Sequence, residues 1–160
     1  MSTQSEIEKV SEALRDELTL GSFSQGFEPG ETFDATIELE ELDALRVDVV
    51  PVGSDPDWES RGWIQWDNVL DVAIRKRLGI DDQDDATGKI RNRHMHDLLL
   101  LEQEILVYLF SKAQTLQGYP GAEMHMKPEI RVHWDPDGMR MNSQFTSVIR
   151  LTYKTSMEIP

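Results

Sequence analysis

The longest strand-like stretch of the sequence runs Trp63-Ile-Gln-Trp-Asp-Asn-Val-Leu-Asp-Val-Ala-Ile-Arg-Lys-Arg77. Apolar residues recur at nearly every second position, the period of a β-strand, and Val69 and Ala73 add apolar side chains on the opposite face. Such a strand is central in its sheet, or is covered by a helix on one face and by a neighbouring subunit on the other. The residues of the main apolar face are Ile64, Trp66, Leu70, Val72 and Ile74.

Two helices and further strands are predicted around this stretch. Ser5 followed by Glu8 is a capping box, and the apolar spacing after it predicts an N-terminal helix over 5–18. A wide apolar stripe predicts a long helix over 89–117 that is buried against a sheet. Alternation of apolar and polar residues predicts strands at 33–40, 45–50, 130–134 and 145–153.

These elements predict one α+β domain over residues 1–160, in the order α-β-β-β-α-β-β. Its single mixed or antiparallel sheet has about five strands and is packed by the long helix and the N-terminal helix. Residues 22–32 and 53–62 are rich in glycine, proline and polar residues, so we expect two flexible loops there. A turn is expected at 135–138, between the last two strands.

The charge is strongly negative and unevenly distributed. The 30 acidic and 16 basic residues give a net charge of -14, and residues 1–60 alone hold 16 acidic and 3 basic residues. This balance argues against binding DNA by neutralising phosphates. The acidic third is either a solvated face or a surface that repels an anion or meets a basic partner.

Composition also excludes several classes of protein. The chain has no cysteine, which excludes disulfides, thiol catalysis and cysteine-ligated metals. The longest apolar run, Ile105–Phe110, is far too short to span a membrane. Residues 1–6 lack the basic and apolar regions of a signal peptide, so we expect a protein that is used without being secreted.

Motifs for catalysis or metal binding are weak. His94 and His96 lie about 200° apart on a helix and could share an ion, with Asp97, only on an extended segment. Residues 81–85 are acidic but lack the glycine and closing glutamate of a calcium loop. We therefore predict no catalytic residue, no metal site and no cofactor. A metal-dependent nuclease stays open as an alternative, with Asp48, Asp67 or Asp71 beside Lys76.

Basic residues cluster where two predicted elements meet. They end the central strand and open the long helix, so the two groups can share one edge of the fold. A basic edge could contact the acidic third of another copy, the kind of heterologous contact that closes a ring. Alternatively, both groups are solvated ends. The residues are Arg75, Lys76, Arg77, Lys89, Arg91 and Arg93.

An ordered set of segments resembles the tail terminator (tail completion) proteins of long-tailed bacteriophages, over about residues 5–154. The segments follow the amphipathic N-terminal helix. They are Leu45-Arg-Val-Asp-Val-Val-Pro-Val-Gly53, a loop with Arg61, the stretch Trp66–Arg77, the helix around Leu98–Phe110 and Phe145-Thr-Ser-Val-Ile-Arg-Leu-Thr-Tyr153. Other neck proteins of the same virions share much of this pattern.

The resemblance implies a non-enzymatic virion protein of the phage tail or neck, assembled in the host cytoplasm. Such proteins form a ring, typically a hexamer, that caps the tail tube, ends its polymerisation and meets head-completion, stopper or neck proteins. DNA passes through the lumen without specific binding, and no membrane is involved. An acidic lumen would repel phosphate.

The resemblance also suggests roles for particular residues. Subunit contacts would use Arg75, Lys76, Arg77, Arg91 and Arg93. Docking to tube or neck would use Phe27, Trp58, Arg61 and Trp63. The lumen, or a face for a basic partner, would carry Glu38, Glu40, Glu41 and Asp43. Alternatives are another neck protein, such as a head–tail joining protein or stopper, and an acidic inhibitor that mimics DNA.

Overall fold

The computed structural model describes residues 3–33, 44–78, 86, 92–132 and 144–160. Within these residues the chain forms two helices and six strands. The helices are α1 (Glu6–Leu20) and α2 (Asn92–Lys112). The strands are β1 (Gly30–Glu31), β2 (Arg46–Ser60), β3 (Trp63–Arg77), β4 (Thr115–Leu116), β5 (Tyr119–Val132) and β6 (Gln144–Glu158).

The six strands form one mixed sheet in the order β1-β2-β3-β6-β5-β4. β1 runs parallel to β2, and every other pairing is antiparallel. The predicted α+β class and the single sheet are confirmed, and β3 lies inside the sheet as expected. The predicted count of about five strands is wrong. Both β1 and β4 have only two residues, which is too short for any periodicity to reveal.

The predicted irregular loop at 53–62 is instead the outer half of a long hairpin. β2 continues through these residues to Ser60, and its partners on β3 run from Val69 down to Trp63. Antiparallel pairing therefore overrides the local preference of glycine and proline, although the register shifts between Pro51 and Gly53. The chain turns at Arg61 and Gly62, where the φ of +94° at Gly62 suits a residue without a side chain.

Several other predicted elements are present, but with different first or last residues. The capping box is present, because Glu8 Oε2 accepts hydrogen bonds from the backbone N–H and the hydroxyl of Ser5 at 2.7 and 2.6 Å. α2 ends at Lys112, before the predicted end at 117, while the predicted start at 89–91 lies outside the described residues, and β5 begins at Tyr119, well before the strand expected at 130–134. The predicted strand at 33–40, apart from Phe33, and the turn at 135–138 lie outside the described residues.

The core lies between the two helices and one face of the sheet, called here the inner face. Leu70, Val72 and Ile74 of β3 are buried on this face together with alternate residues of β2 and β6. Both helices contribute to the same cluster. Tyr153 of β6 ties the sheet to the end of α2 by donating a hydrogen bond to the carbonyl oxygen of Ala113 at 2.6 Å.

Candidate interface at the hairpin tip

The outer end of the β2–β3 hairpin, with the end of β6 beside it, carries large apolar side chains that face solvent. We call residues 55–66 and 156–158 the tip. Trp58 is 73% exposed and Met157 is 40% exposed on one face of the sheet, and Trp63 is 42% exposed on the opposite face. Scattered exposed apolar residues are ordinary, but a contiguous patch usually marks a contact surface. The tip is therefore a candidate interface.

Strand register explains why the tip is apolar. Trp58 lies opposite Ile64, and Ile64 lies opposite Met157. The three residues continue the inner face, which is buried further along β3 at Leu70 and Val72. Because side chains alternate along a strand, the apolar pattern that fills the core runs on beyond it. The sheet thus presents its core face to solvent at this end.

A groove of about 720 Å³ separates the start of α1 from the tip. Trp66 lies in its wall, and its indole Nε1–H is buried without an acceptor among the described residues. A buried polar hydrogen without a partner is uncommon in proteins. No pattern in the sequence indicates this groove, although the alternation of β3 does place Trp66 on the inner face. The lining residues are Gln4, Ser5, Glu6, Ile7, Lys9, Ser54, Trp66, Met157, Glu158 and Pro160.

Hydrogen bonds hold the Glu6 carboxylate at one side of this groove. Tyr119 donates to Oε2 at 2.6 Å, and Lys9 donates to Oε1 at 2.7 Å. Burial alone would raise the pKa of Glu6, but the hydrogen bonds from Lys9, Tyr119 and Thr155 outweigh burial and lower the pKa. Glu6 is thus ionised and committed to contacts within the chain, and it fastens α1 to β5.

The predicted basic residues differ in their burial and in their partners. Arg75 is buried, and its Nη2 lies 3.0 Å from Asp48 Oδ2 on the neighbouring strand. Lys76 is half-buried, and Arg77 at the end of β3 and Arg93 in the first turn of α2 are exposed. The location of Arg75 gives it a partner inside the subunit. Contact of these residues with a second copy stays a prediction, and Arg91 lies outside the described residues.

The predicted docking residues fall into two places. Trp58, Arg61 and Trp63 all lie at the tip, with the two tryptophans on opposite faces of the sheet and Arg61 exposed in the turn. Phe27 does not belong to the tip, because it is half-buried against the core and stacks on Phe23 with ring centroids 5.2 Å apart. The predicted lumen residues Glu38, Glu40, Glu41 and Asp43 lie outside the described residues.

Two of the three carboxylates considered for a nuclease, Asp48 and Asp71, are engaged in ion pairs, whereas Asp67 Oδ1 is buried without a hydrogen-bond partner among the described residues. Arg150 donates to Asp71 with two nitrogens, at 2.8 and 3.1 Å, and Asp48 accepts from Arg75. His94 and His96 both lie in α2, so their side chains diverge. Across the described ranges, no three His, Asp or Glu residues are grouped so that they could hold a metal ion. In the same residues, no helix has the length and apolar character needed to cross a bilayer.

Comparisons with known proteins return no matching family model and no matching curated protein. Among solved structures, the chain is similar to the sheath/tube terminator, in its extended state, of the extracellular contractile injection system PVC. The sequence identity is 15% and the TM-score is 0.49. The alignment covers 99% of this chain and 59% of the other, so the chain spans about three fifths of that protein's length.

Proposed function

We propose that the chain is a structural protein of a phage-like tail, a tail terminator that forms a ring on the end of the tail tube and stops its growth. The observation that carries the proposal is the tip, where Trp58 faces solvent on paired strands. An assembly protein needs such an anchored apolar surface, whereas an enzyme needs a site with reactive groups. The particular kind of assembly protein follows from the sequence resemblance to phage tail terminators.

The tip has the properties expected of a docking element. Tryptophan is enriched among the residues that dominate binding energy at interfaces. Trp58 is paired opposite Ile64 and Trp63 opposite Ser60, with a register shift between the two pairs, and the two-residue turn leaves little freedom between the strands. The backbone N–H of Ile159 also donates to the carbonyl oxygen of Gly62 at 2.7 Å, which fixes the turn to the chain after β6. The tip therefore loses less conformational entropy when it binds a partner.

Ring formation is supported by the difference between the two edges of the sheet. At one edge, within the described residues, β1 pairs only with Asp48 and Val49 of β2. At the other edge, β4 pairs only with Tyr119 and Glu123 of β5. An open sheet with two different edges offers a different surface to each neighbour, and a heterologous contact of this kind closes into a ring when the rotation between subunits allows.

The charge suits a ring that conducts DNA without retaining it. Of the net charge of -14, nearly all belongs to residues 1–60. In α1 the exposed carboxylates include Glu8 and Asp16, and its only basic residues, Lys9 and Arg15, are engaged in ion pairs with acidic neighbours. We therefore propose that DNA passes through the ring and that head-completion or neck proteins bind its other face.

Negative-stain imaging of the purified protein, with and without tail tubes of the same virion, tests this proposal. We expect rings that sit on tube ends, with a mass near six copies of the 18.4-kDa chain, about 110 kDa. Rings that bind portals or head-completion proteins but ignore tubes would assign the chain to another neck position. A monomer that is indifferent to tubes and portals would contradict the proposal.

A further inference from the structure

We propose that Asn68 is a positioning residue that fixes the register of the tip and so decides on which face of the sheet Trp58 lies. The inference deepens the proposed function, and it rests on that function only for the docking role of Trp58. Asn68 has a relative exposure of 0%, so it acts through the strands around it and not by touching a partner.

Asn68 lies on β3 at the boundary between the core and the tip. On the inner face of this strand, the next residue toward the core is Leu70, which is fully buried, and the next toward the turn is Trp66, which lines the groove. An asparagine at this place interrupts an apolar pattern. Buried amides are almost always hydrogen-bonded, so the partners of Asn68 show what its position requires.

The side chain of Asn68 bonds to both neighbouring strands. Its Oδ1 accepts a hydrogen bond from the hydroxyl of Ser54 on β2 at 2.7 Å. Its Nδ2 donates to the carbonyl oxygen of Tyr153 at 3.2 Å and to Oγ1 of Thr155 at 3.1 Å, both on β6. The amide therefore joins the three strands that continue into the tip, and its link to β2 is the Ser54 hydroxyl.

A β-bulge brings this hydroxyl opposite Asn68. The register of β2 shifts by one residue between Pro51 and Gly53, so Val52 is the extra residue of the bulge. Beyond the shift, Ser54 lies opposite Asn68. Because side chains alternate along a strand, the extra residue moves every later side chain of β2 to the other face of the sheet. The bulge therefore sets the face for the whole outer half of β2.

The alternative register, without the bulge, would place Gly53 opposite Asn68 and Trp58 opposite Trp63. Trp58 would then leave the inner face, and Asn68 Oδ1 would be buried without the Ser54 hydroxyl. Glycine has no side chain to replace that donor, and a buried acceptor left without a partner is costly. The requirement of Asn68 for a hydroxyl thus favours the observed register. In coiled coils, a single buried asparagine fixes the register in a similar way.

Disulfide trapping of the alternative register tests the proposal, since the chain has no cysteine of its own. In that register Asp57 would lie opposite Ile64, whereas in the structure Asp57 pairs with Gln65 and its side chain lies on the opposite face from Ile64. The pair Asp57→Cys/Ile64→Cys should therefore form a disulfide slowly in an otherwise unchanged chain. Adding Asn68→Val or Ser54→Ala removes one partner of the hydrogen bond and should raise the rate at least about fivefold.

Ser54→Thr is the matched control, because it keeps the hydroxyl and should leave the rate within about twofold. The pair Asp57→Cys/Trp66→Cys, whose members meet only if β2 slips the other way, controls for fraying of the tip. Circular dichroism should show every variant folded. Equal rates with and without Asn68→Val, equal effects of Ser54→Ala and Ser54→Thr, or equal rises for both cysteine pairs would overturn the proposal. None of these results depends on tube capping, so the proposed function can fail while the register role of Asn68 holds.

Discussion

The guanidinium of Arg75 and the carboxylate of Asp48 form an ion pair in which Nη2 lies 3.0 Å from Oδ2, with only 4% and 2% of the two side chains exposed. Arg46 also contacts the pair, with its Nη2 3.3 Å from Asp48 Oδ1. The contact joins neighbouring strands β2 and β3 at the end of the sheet away from the tip. A buried charge is stable only when it is paired, and the carboxylate of Asp48 supplies that pairing for Arg75.

Removing Asp48 should therefore be costly. In Asp48→Ala the charge of Arg75 loses its buried counter-ion, and we expect a loss of about 3–5 kcal/mol in the free energy of unfolding. Urea unfolding followed by circular dichroism measures this loss. Asp71→Ala is the control, because its pair with Arg150 is partly exposed and should contribute about 1 kcal/mol or less. Equal losses in the two variants would contradict this account.

Gly30 should be required by its closeness to Asp48. A Cβ at this position would lie 2.4 Å from Asp48 Oδ1, so Gly30→Ala should displace the carboxylate and cost about 1–3 kcal/mol. Gly26→Ala, where the added carbon meets nothing within 4 Å, should change stability by less than about 0.5 kcal/mol. Adding Gly30→Ala to Asp48→Ala should then cost much less than in wild type, a coupling that a double-mutant cycle measures.

Glu17 should make stability fall as pH rises. The residue is buried in α1, its Oε2 has no hydrogen-bond partner in the described residues, and burial raises its pKa. The folded state thus holds the proton more tightly than the unfolded state. The penalty for ionisation is absent below the unfolded pKa, near 4.5, and is complete above the folded pKa.

Comparison of Glu17→Gln with wild type over pH 4–8 tests this dependence. We expect the variant to be more stable by about 1 kcal/mol at pH 7 and the difference to vanish near pH 4. Glu12→Gln, which removes a carboxylate from the same helix at a position where the side chain is 46% exposed, is the control for the loss of one negative charge. A difference for Glu17→Gln that is constant with pH would show that the carboxyl titrates alike in both states.

Tyr119 should contribute stability through the ionised form of Glu6. Tyr119→Phe removes the 2.6 Å hydrogen bond to that carboxylate and should cost about 1.5–3 kcal/mol at pH 7. Because the folded pKa of Glu6 is lowered, the contribution is complete above the unfolded pKa, near 4.5, and is lost as pH falls through the folded pKa. Thermal unfolding at pH 3 and pH 7 should show the cost shrinking in acid.

Tyr108→Phe is the control for this pH effect. The Tyr108 hydroxyl donates to the backbone carbonyl oxygen of Glu17 at 3.1 Å, and that acceptor does not titrate. Its loss should cost about 0.5–1.5 kcal/mol at both pH values. If Tyr119→Phe showed the same small cost at both pH values, the Glu6 carboxylate would not be its effective partner.

Trp58 should act in assembly and not in folding. Trp58→Ser should change the free energy of unfolding by less than about 0.5 kcal/mol, because the side chain is 73% exposed. Under the proposed function it should abolish binding to tube ends, measured by co-sedimentation with tail tubes. Phe33→Ser removes an aromatic side chain of similar exposure, 71%, away from the tip and should keep tube binding. Loss of tube binding in both variants would argue against a specific role for the tip.

Features of the fold that are encoded by residues close together in the sequence were predictable. The capping box at Ser5 and Glu8 and the alternation of β3 are local patterns, and both appear in the structure. The candidate tip was partly predictable as well, since Trp58 and Trp63 flank a glycine turn. Phe27 was grouped with them because an aromatic residue in a glycine-rich segment gives no sign of its packing. Its stacking on Phe23 depends on where that segment returns to the core.

Contacts between distant segments decided the rest. Residues 53–60 look like a loop because glycine and proline lower their own preference for a strand, yet pairing with β3 supplies backbone hydrogen bonds that no local pattern encodes. Arg75 looks like part of an exposed basic cluster, but the carboxylate of Asp48, 27 residues earlier, allows its charge to be buried. Periodicity is a property of adjacent residues, whereas burial and ion pairing depend on which strands become neighbours.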